Sequence, residues 1–325
     1  MKQQQERKSV PIMTQKAIND TNKYRKMIKL LIAALLLLIL LFLTGTFCDR
    51  AAAETLFSPD NTFIKVITST GVYPIYAVQV LFYGALYERT LHSSKSKQFK
   101  MVICTFFILT ALFLGFNGGK TLASRNNLGE IFPSFIGNLP VIIIISAILE
   151  YPLFFIGYFY AKKSDDKLLT QRIFGLFIVL LFAFISMQVM KNFFDRPRYR
   201  TAVLGYEGIT FVPWYKPFTG AEKYVAAYGI NADEFRSFPS GHNIFSSLST
   251  CIFPSLAWLF PKLKNKQMQL FVAGFIFCII IMFTRMLLGA HYLSDVSAGA
   301  IIGVLSSIAC AAIQLRISQK NYMKS

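Results

Sequence analysis

Long apolar runs alternate with short polar breaks along most of the 325-residue chain. A membrane-spanning helix needs about 20 apolar residues, because about 30 Å of hydrocarbon is crossed at about 1.5 Å per residue. Several runs come close to this length, which predicts an all-α, polytopic membrane helix bundle with about eight transmembrane helices. The runs are 30–47, 72–88, 101–117, 139–160, 173–190, 243–261, 269–288 and 293–315.

Composition and charge agree with a membrane protein. Hydrophobic residues make up 54% of the chain, and the formal net charge is +18. Such a charge often indicates nucleic acid, but the basic residues lie mostly in the breaks between apolar runs. Membrane topology therefore explains them better, and we expect the lipid bilayer and no nucleic acid as a partner.

The distribution of basic residues predicts the orientation. If the N-terminus is cytoplasmic, the inside segments carry 22 of the 34 Lys and Arg residues. The positive-inside rule then makes 1–29 a basic, disordered cytoplasmic tail and 316–325 a second cytoplasmic tail. The long connection 191–242 faces outward, and connections of this length are usually functional or disordered. We expect a multi-pass protein of the cell membrane.

The first apolar run allows two interpretations. A basic segment, an apolar run and then Ala51-Ala52-Ala53 could form a cleaved signal peptide. The run is long for that purpose, and Asp49-Arg50 follows it directly, which favours an uncleaved anchor. Cleavage would leave seven spans and the same outward-facing site.

Three polar clusters lie at predicted helix ends on the outer face. They are KNFFDRPRYR at 191–200, PSGH at 239–242 and RMLLGAHYLSD at 285–295. In the third cluster, His291 and Asp295 are four residues apart and would share one helix face. The carboxylate could orient the imidazole as in a catalytic triad. A solvated capping pair at a helix start is the alternative.

The second cluster suits an anion at a helix start. Ser240 can cap the following helix, Gly241 permits close backbone approach, and the helix N-terminus attracts phosphate. His242 would then lie in the first turn, beside the bound anion. A plain turn before a helix is the alternative.

The remaining candidates are cations. Lys191 and Arg198 are seven residues apart, two helical turns, so they could point to one side, and Arg285 opens the third cluster. Basic residues that snorkel at the membrane edge are the alternative. Taken together, cations, amides and two histidines suit a tetrahedral dianion, with one histidine attacking and the other protonating the leaving oxygen. The third histidine, His92, lies in a basic inside loop, where we expect it to be solvated.

In this order the clusters resemble the type 2 phosphatidic acid phosphatase superfamily, whose pattern is K-x6-R-P, P-S-G-H and S-R-x5-H-x3-D on a six-helix core. The matching stretches are Lys191-x6-Arg198, Pro239-Ser240-Gly241-His242 and Thr284-Arg285-x5-His291-x3-Asp295. Tyr199 replaces the proline and Thr284 the serine. Arg196-Pro197 also leaves a competing register for the first motif, although Arg198 keeps the family spacing.

The resemblance implies a membrane lipid phosphatase that uses no metal or cofactor. The phosphatase core would be 101–315, and 30–100 would hold two additional helices to which we assign no function. His291 would be the nucleophile, Asp295 would orient it, and His242 would be the general acid. The phosphate ligands would be Lys191, Arg198, Ser240, Gly241 and Arg285. The substrate would be phosphatidic acid, phosphatidylglycerol phosphate or undecaprenyl diphosphate at the outer face.

Three other functions fit parts of the sequence. A zinc hydrolase could use His242, His291 and Asp295 as ligands, but the surrounding cations oppose a metal ion. A transporter or scramblase would need ionisable groups within the membrane, where Glu150 is the one mid-span acid. A lipid phosphotransferase could use the same histidines, although the full cation set favours hydrolysis.

Overall fold

The computed structural model describes residues 15–191 and 193–322. These residues are 78% helical and include no strand, which confirms the predicted all-α class. In chain order the α-helices are α1 (Gln15–Leu56), α2 (Thr62–Ser69), α3 (Tyr73–Leu91), α4 (Lys97–Leu122), α5 (Leu139–Ile145), α6 (Tyr151–Lys163), α7 (Leu169–Lys191), α8 (Tyr199–Ala202), α9 (Ala221–Tyr228), α10 (Gly241–Ser247), α11 (Ser249–Leu259), α12 (Gln267–Leu287) and α13 (Leu293–Tyr322).

Helical segments long and apolar enough to cross a membrane account for most of the described chain. Seven qualify: Asn19–Leu56, Thr62–Leu91, Lys97–Leu122, Leu139–Lys163, Leu169–Lys191, Gln267–Leu287 and Leu293–Lys320. Large apolar side chains such as Leu36, Phe113 and Phe182 point away from the protein and are exposed. Exposed apolar surface on this scale is suited to lipid rather than to water. The protein is therefore a multi-pass membrane protein.

The span expected over 243–261 is divided into two shorter helices. Helices α10 and α11 meet at Leu248, and Pro254 lies inside α11. Proline lacks the backbone N–H that an α-helix interior requires, so it weakens the hydrogen-bond ladder there. Neither helix alone is long enough to be counted as a span, and the total of eight stays a prediction.

Helix α1 begins earlier than the sequence suggested. The segment 1–29 was expected to be disordered, but α1 starts at Gln15. Tyr24 and Met27 are buried in a cluster that also includes Phe271 of α12. This packing stabilises the helical form of a segment whose composition is polar. Residues 1–14 and 323–325, the outer parts of the two expected tails, lie outside the described residues.

Aromatic side chains hold the connection between α7 and α10, residues 193–240, in place. The Trp214 indole N–H donates to Thr46 Oγ1 of α1 at 3.0 Å, and its ring stacks on Phe238 at 5.4 Å between centroids. Phe218 stacks on Phe235 at 5.6 Å. We call residues 193–240 the α7–α10 loop. It contacts the C-terminal part of α1 and the N-terminal end of α13, where the candidate residues converge.

Candidate active site

His291 lies in the tight turn between α12 and α13. Gly289 opens this turn with a φ of +59°, a conformation that glycine adopts without steric cost. The amides of Ala290 and His291 both donate to the Arg285 carbonyl, at 3.1 and 3.3 Å. The turn therefore places a buried histidine directly beside the last turn of α12.

The contacts of the His291 ring define its tautomer. Nδ1 lies 2.7 Å from the Ser237 carbonyl oxygen, which can only accept a hydrogen bond. Nδ1 therefore carries the hydrogen, and Nε2 of the neutral ring has a free lone pair. Burial lowers the pKa of His291 to about 3; Arg285 and Arg198 act in the same direction, whereas Asp295 opposes them. The imidazole is neutral at physiological pH.

Ser237 connects Asp295 to His291. Its Oδ2 lies 3.7 Å from His291 Nδ1, which is longer than a hydrogen bond. The Ser237 hydroxyl donates to Oδ2 at 2.5 Å and lies 3.5 Å from Nδ1. From the sequence, the Asp295 carboxylate could orient the imidazole, with a solvated capping pair as the alternative. In the structure, Ser237 supplies both the carbonyl and the hydroxyl that connect the two residues.

Arg196 lies behind Asp295. Its Nη1 is 2.5 Å from Asp295 Oδ1, and its Nη2 is 2.8 Å from Asp49 Oδ2 of α1. The Tyr292 amide donates to Asp295 Oδ2 at 2.8 Å. Asp295 is thus fixed by one cation, one hydroxyl and one amide, and Arg196 is occupied by carboxylates.

Arg198 and Lys191 belong to a different group of side chains. Arg198 is buried, its Nη2 lies 2.6 Å from Asp233 Oδ2, and its Nη1 donates to Asn126 Oδ1. The Lys191 ammonium lies 3.5 Å from the Arg236 carbonyl oxygen. A Cβ at position 241 would lie 3.3 Å from Lys191 Cε, so Gly241 permits the lysine to approach the start of α10.

Arg285 has unused hydrogen-bond donors. Its side chain is 0% exposed, and Nη1 makes a long contact of 3.4 Å with the Asn126 carbonyl oxygen. Its Nε and Nη2 have no hydrogen-bond partner among the described residues, and the same holds for Nε of Arg198. Buried charged donors without an acceptor are costly, so an anion in contact with them would be bound favourably.

His242, the second residue of α10, belongs to the same group of side chains as Arg285. Its Nε2 lies 3.0 Å from Asn127 Oδ1. The Asn127 amide nitrogen donates to the Thr121 carbonyl oxygen and to Ser124 Oγ, so Oδ1 must accept from a protonated Nε2. Burial lowers the pKa of His242 well below its ordinary value. Four charged or titrating groups lower it further: Arg285, His291, Lys191 and Arg198.

Ser240 occupies the cap position of α10, although its side chain does not cap. The hydroxyl donates to Asn243 Oδ1 at 2.7 Å, and the Ser240 amide donates to the Asp295 carbonyl oxygen at 3.0 Å. Ser240 therefore ties α10 to α13 and fixes the distance between the two histidine-bearing segments. His92 is far from this group and its side chain is 55% exposed, as expected for a solvated residue.

The structure brings in several residues that the sequence did not single out. Asn126 and Asn127 come from the connection between α4 and α5, and Asp233 and Ser237 come from the α7–α10 loop. Burial alone would raise the pKa of Asp233, but Arg198, Lys191 and the Asn126 hydrogen bond hold it well below its ordinary range. No local motif marks these positions, because their partners are distant in the chain.

Metal-ligand geometry is absent from the described parts of the chain. Across residues 15–191 and 193–322, no three His, Cys, Asp or Glu side chains converge as a metal site would require. Around the two histidines the structure places guanidinium, ammonium and amide donors.

Comparison with known proteins identifies relatives of the region that holds this site. The PAP2 superfamily profile matches residues 172–318, from α7 to α13. Phosphatidylglycerophosphatase B of Bacillus subtilis is 27% identical over 172 residues, which cover 51% of this chain and 63% of that protein. Lipid A 1-phosphatase of Rhizobium johnstonii is 27% identical over 224 residues, or 66% of this chain and 80% of that protein. The chain thus spans less than two thirds of the first of these relatives. No solved structure matches the chain.

Proposed function

We propose that this membrane protein, whose residues 172–318 match the PAP2 superfamily, hydrolyses a phosphate ester or diphosphate of a membrane lipid through a phosphohistidine intermediate. The observation that carries the proposal is the group of buried, unpartnered guanidinium donors on Arg285 and Arg198 beside two neutral histidines. A phosphoryl group supplies the acceptor oxygens that these donors lack.

In the proposed complex the phosphoryl oxygens contact three cations, Lys191, Arg198 and Arg285. The backbone amide of Gly241, at the start of α10, adds a neutral donor. Because Gly241 has no side chain, the Lys191 side chain can lie close to this amide. Such fixed donors stabilise the charge of phosphoryl transfer because they need no reorganisation during the reaction. Ser240 contributes by fixing α10 against α13.

His291 is the proposed nucleophile because its Nε2 lone pair is free. As the bond between Nε2 and phosphorus forms, the bond between phosphorus and the leaving lipid oxygen breaks. The positive charge that develops on the ring is shared through Nδ1–H with the Ser237 carbonyl and is stabilised by Asp295 at 3.7 Å. The phosphoryl group is then held on His291.

His242 is the proposed proton donor and acceptor. A bound phosphate dianion offsets the positive charges that lower the pKa of His242, so substrate binding favours its protonated form. His242 gives this proton to the leaving oxygen. In the second step it takes a proton from water, the water oxygen attacks phosphorus, and the bond to His291 breaks to release inorganic phosphate.

A groove beside the site supports a lipid as the substrate. It has a volume of about 780 Å³, lies between α3, α6, α11 and α12, and is lined mostly by apolar side chains. Thr70 lines the groove, and the adjacent Gly71 packs on His242. A Cβ at position 71 would lie 3.3 Å from the His242 ring. An apolar chain in this groove would bring its phosphate to the histidines.

The relatives favour a class of substrate, and the charge distribution favours a membrane face for the reaction. The two relatives described above are named as lipid phosphatases, which favours a phosphorylated lipid such as phosphatidylglycerol phosphate, phosphatidic acid or undecaprenyl diphosphate. The basic residues favour cytoplasmic termini and a reaction at the outer face. The proposed chemistry uses side chains alone and no metal ion.

Trapping the intermediate tests this proposal. Detergent-purified protein is mixed with lipid carrying a radiolabelled phosphate and quenched in alkali, where phosphohistidine survives. We expect label on the wild-type protein and on His92→Ala, which changes the exposed third histidine, and none on His291→Ala. Equal labelling of His291→Ala and wild type would contradict the assigned nucleophile. Substrate turnover without label on any of the proteins would contradict the intermediate.

A further inference from the structure

Asp49 is a buried acid on α1, outside the matched region 172–318. Its side chain is 2% exposed, and it lies within the membrane-spanning segment Asn19–Leu56. Its Oδ1 accepts from the Ser294 amide at 2.8 Å, and its Oδ2 accepts from Arg196 Nη2 at 2.8 Å and from the Ser294 hydroxyl. A buried carboxylate with this many donors is specifically held.

Arg196 joins Asp49 to the proposed catalytic residues. Its Nη1 lies 2.5 Å from Asp295 and 2.9 Å from Ser294 Oγ, and its Nε donates to the Val212 carbonyl oxygen at 2.8 Å. The guanidinium also lies 4.0 Å from the centre of the Tyr292 ring. Each nitrogen of the guanidinium therefore has a partner, and the group cannot rotate away from either carboxylate.

The charges in this cluster do not cancel. One guanidinium lies between two carboxylates, so the group has a net charge of −1 when all three side chains are ionised. Burial alone would lower the pKa of Arg196, but Asp295 and Asp49 outweigh that effect and raise it, so the guanidinium remains charged. In a buried site this surplus negative charge acts strongly on neighbouring groups.

We propose that Asp49 is a positioning residue for the reaction, because it shares the charge of Arg196 and so leaves Asp295 negative toward His291. Without Asp49, Arg196 would be paired with Asp295 alone and would neutralise it. The Asp295 carboxylate would then stabilise the developing positive charge on His291 less well. This gives α1 a function: the first helix supplies a residue to a site whose two histidines lie within residues 172–318. The inference rests on the proposed phosphatase function.

The test is Asp49→Asn in the full chain, assayed in detergent on a long-chain lipid phosphate. We expect kcat to fall at least about tenfold, the scale on which partners that orient a functional histidine act. KM and competitive inhibition by inorganic phosphate should not change, because the cations of the phosphate site are untouched. Counting active sites by the labelled phosphoenzyme corrects kcat for any unfolded fraction.

The matched control is Glu54→Gln. It makes the same chemical change on the same helix, where Glu54 pairs with Arg50 and its side chain is 50% exposed. We expect its kcat to equal that of the wild type. Ser294→Ala provides a second variant, which loosens Asp49 without leaving a charge unpaired. It should lower kcat by a smaller factor, again with unchanged phosphate inhibition.

A double-mutant cycle separates charge sharing from a structural role. In an Arg196→Gln background, Asp49→Asn should have little further effect on kcat, because no cation remains to be shared. A multiplicative loss in that background, or wild-type kcat in Asp49→Asn, would overturn the inference while leaving the phosphatase proposal intact. A wild-type protein without activity toward any lipid phosphate would overturn both.

Discussion

Arg196 and Arg198 are two residues apart, yet they bind carboxylates that belong to different parts of the site. Arg196 Nη1 lies 2.5 Å from Asp295, behind the proposed nucleophile, whereas Arg198 Nη2 lies 2.6 Å from Asp233, among the proposed phosphate ligands. Arg196 reaches α1 and α13, where it contacts Asp49 and Asp295, whereas Arg198 contacts Asn126 and Asp233. We therefore propose a different role for each of the two registers of the first motif.

Substitution of the two arginines should separate these roles. We expect Arg198→Gln to raise KM by about tenfold or more with a smaller change in kcat, because it removes a proposed phosphate ligand. Arg196→Gln should lower kcat with little change in KM. It should also reduce the thermal stability of the protein, because loss of one partner of a buried ion pair costs about 3–5 kcal/mol. Steady-state kinetics and thermal unfolding in detergent check both. If Arg196→Gln raised KM and Arg198→Gln did not, Arg196 rather than Arg198 would be the phosphate ligand.

Asp233 should compete with the substrate for Arg198. Its carboxylate remains ionised because the surrounding cations hold its pKa well below the ordinary range, and it occupies Arg198 and Asn126. We expect Asp233→Asn to strengthen inhibition by inorganic phosphate about threefold to tenfold, or about 0.7–1.4 kcal/mol. A competition assay with inorganic phosphate measures this. Glu222→Gln, an exposed acid on α9 of the same loop, should have no effect. Weaker phosphate inhibition in Asp233→Asn would mean that Asp233 orients Arg198 rather than competing with phosphate.

Obstruction of the 780 Å³ groove should affect long-chain substrates selectively. Ile156→Trp places a large ring at an exposed position of this groove. Leu112→Trp does so in a second apolar groove of about 390 Å³ whose lining does not reach the histidines. We expect Ile156→Trp to lower kcat/KM for a long-chain lipid phosphate about tenfold and to leave hydrolysis of para-nitrophenyl phosphate unchanged. Leu112→Trp should change neither. Equal losses in the two variants would argue against a substrate chain in the larger groove.

The attachment of the α7–α10 loop should resist mild acid. Burial alone would raise the pKa of Glu234, but the hydrogen bond from Arg200 and the charges of Arg198 and Arg200 lower it to about 2. Because the folded-state pKa is lowered, the stabilisation is fully present above the ordinary pKa of about 4.3, declines below it, and is lost as pH falls through about 2. The emission of Trp214 in a Trp258→Phe background should therefore be constant from pH 7 to about 4.5 and change below that. In Glu234→Gln, the emission at pH 7 should already resemble that of the acid form. A transition of the parent protein near pH 6 would contradict this account.

The long apolar runs predicted the helix class well because spans must satisfy their own backbone hydrogen bonds in lipid. The three motif clusters also indicated residues that converge in the structure, such as His242 and His291. The apolar runs predicted neither the early start of α1 nor the division between α10 and α11 at Leu248. The start of α1 near Gln15 depends on a tertiary contact, the packing of Tyr24 and Met27 against α12.

The supporting residues could not be predicted, because each depends on contacts across the fold. Ser237 meets His291 across 54 residues, Asn127 meets His242 across 115, and Asp49 meets Ser294 across 245. Motifs of a few residues cannot reveal contacts between residues so far apart in the sequence. The unused donors of Arg285 likewise appear only when every neighbour of its side chain is known.

Phosphate release by the detergent-purified protein tests the central claim most directly. Phosphatidic acid, phosphatidylglycerol phosphate and undecaprenyl diphosphate are offered in the presence of EDTA, with His291→Ala as the inactive variant and His92→Ala as its control. The account predicts release that survives EDTA, is retained by His92→Ala and is absent in His291→Ala. Release that requires a metal ion, or that persists in His291→Ala, would contradict a histidine phosphatase at this site.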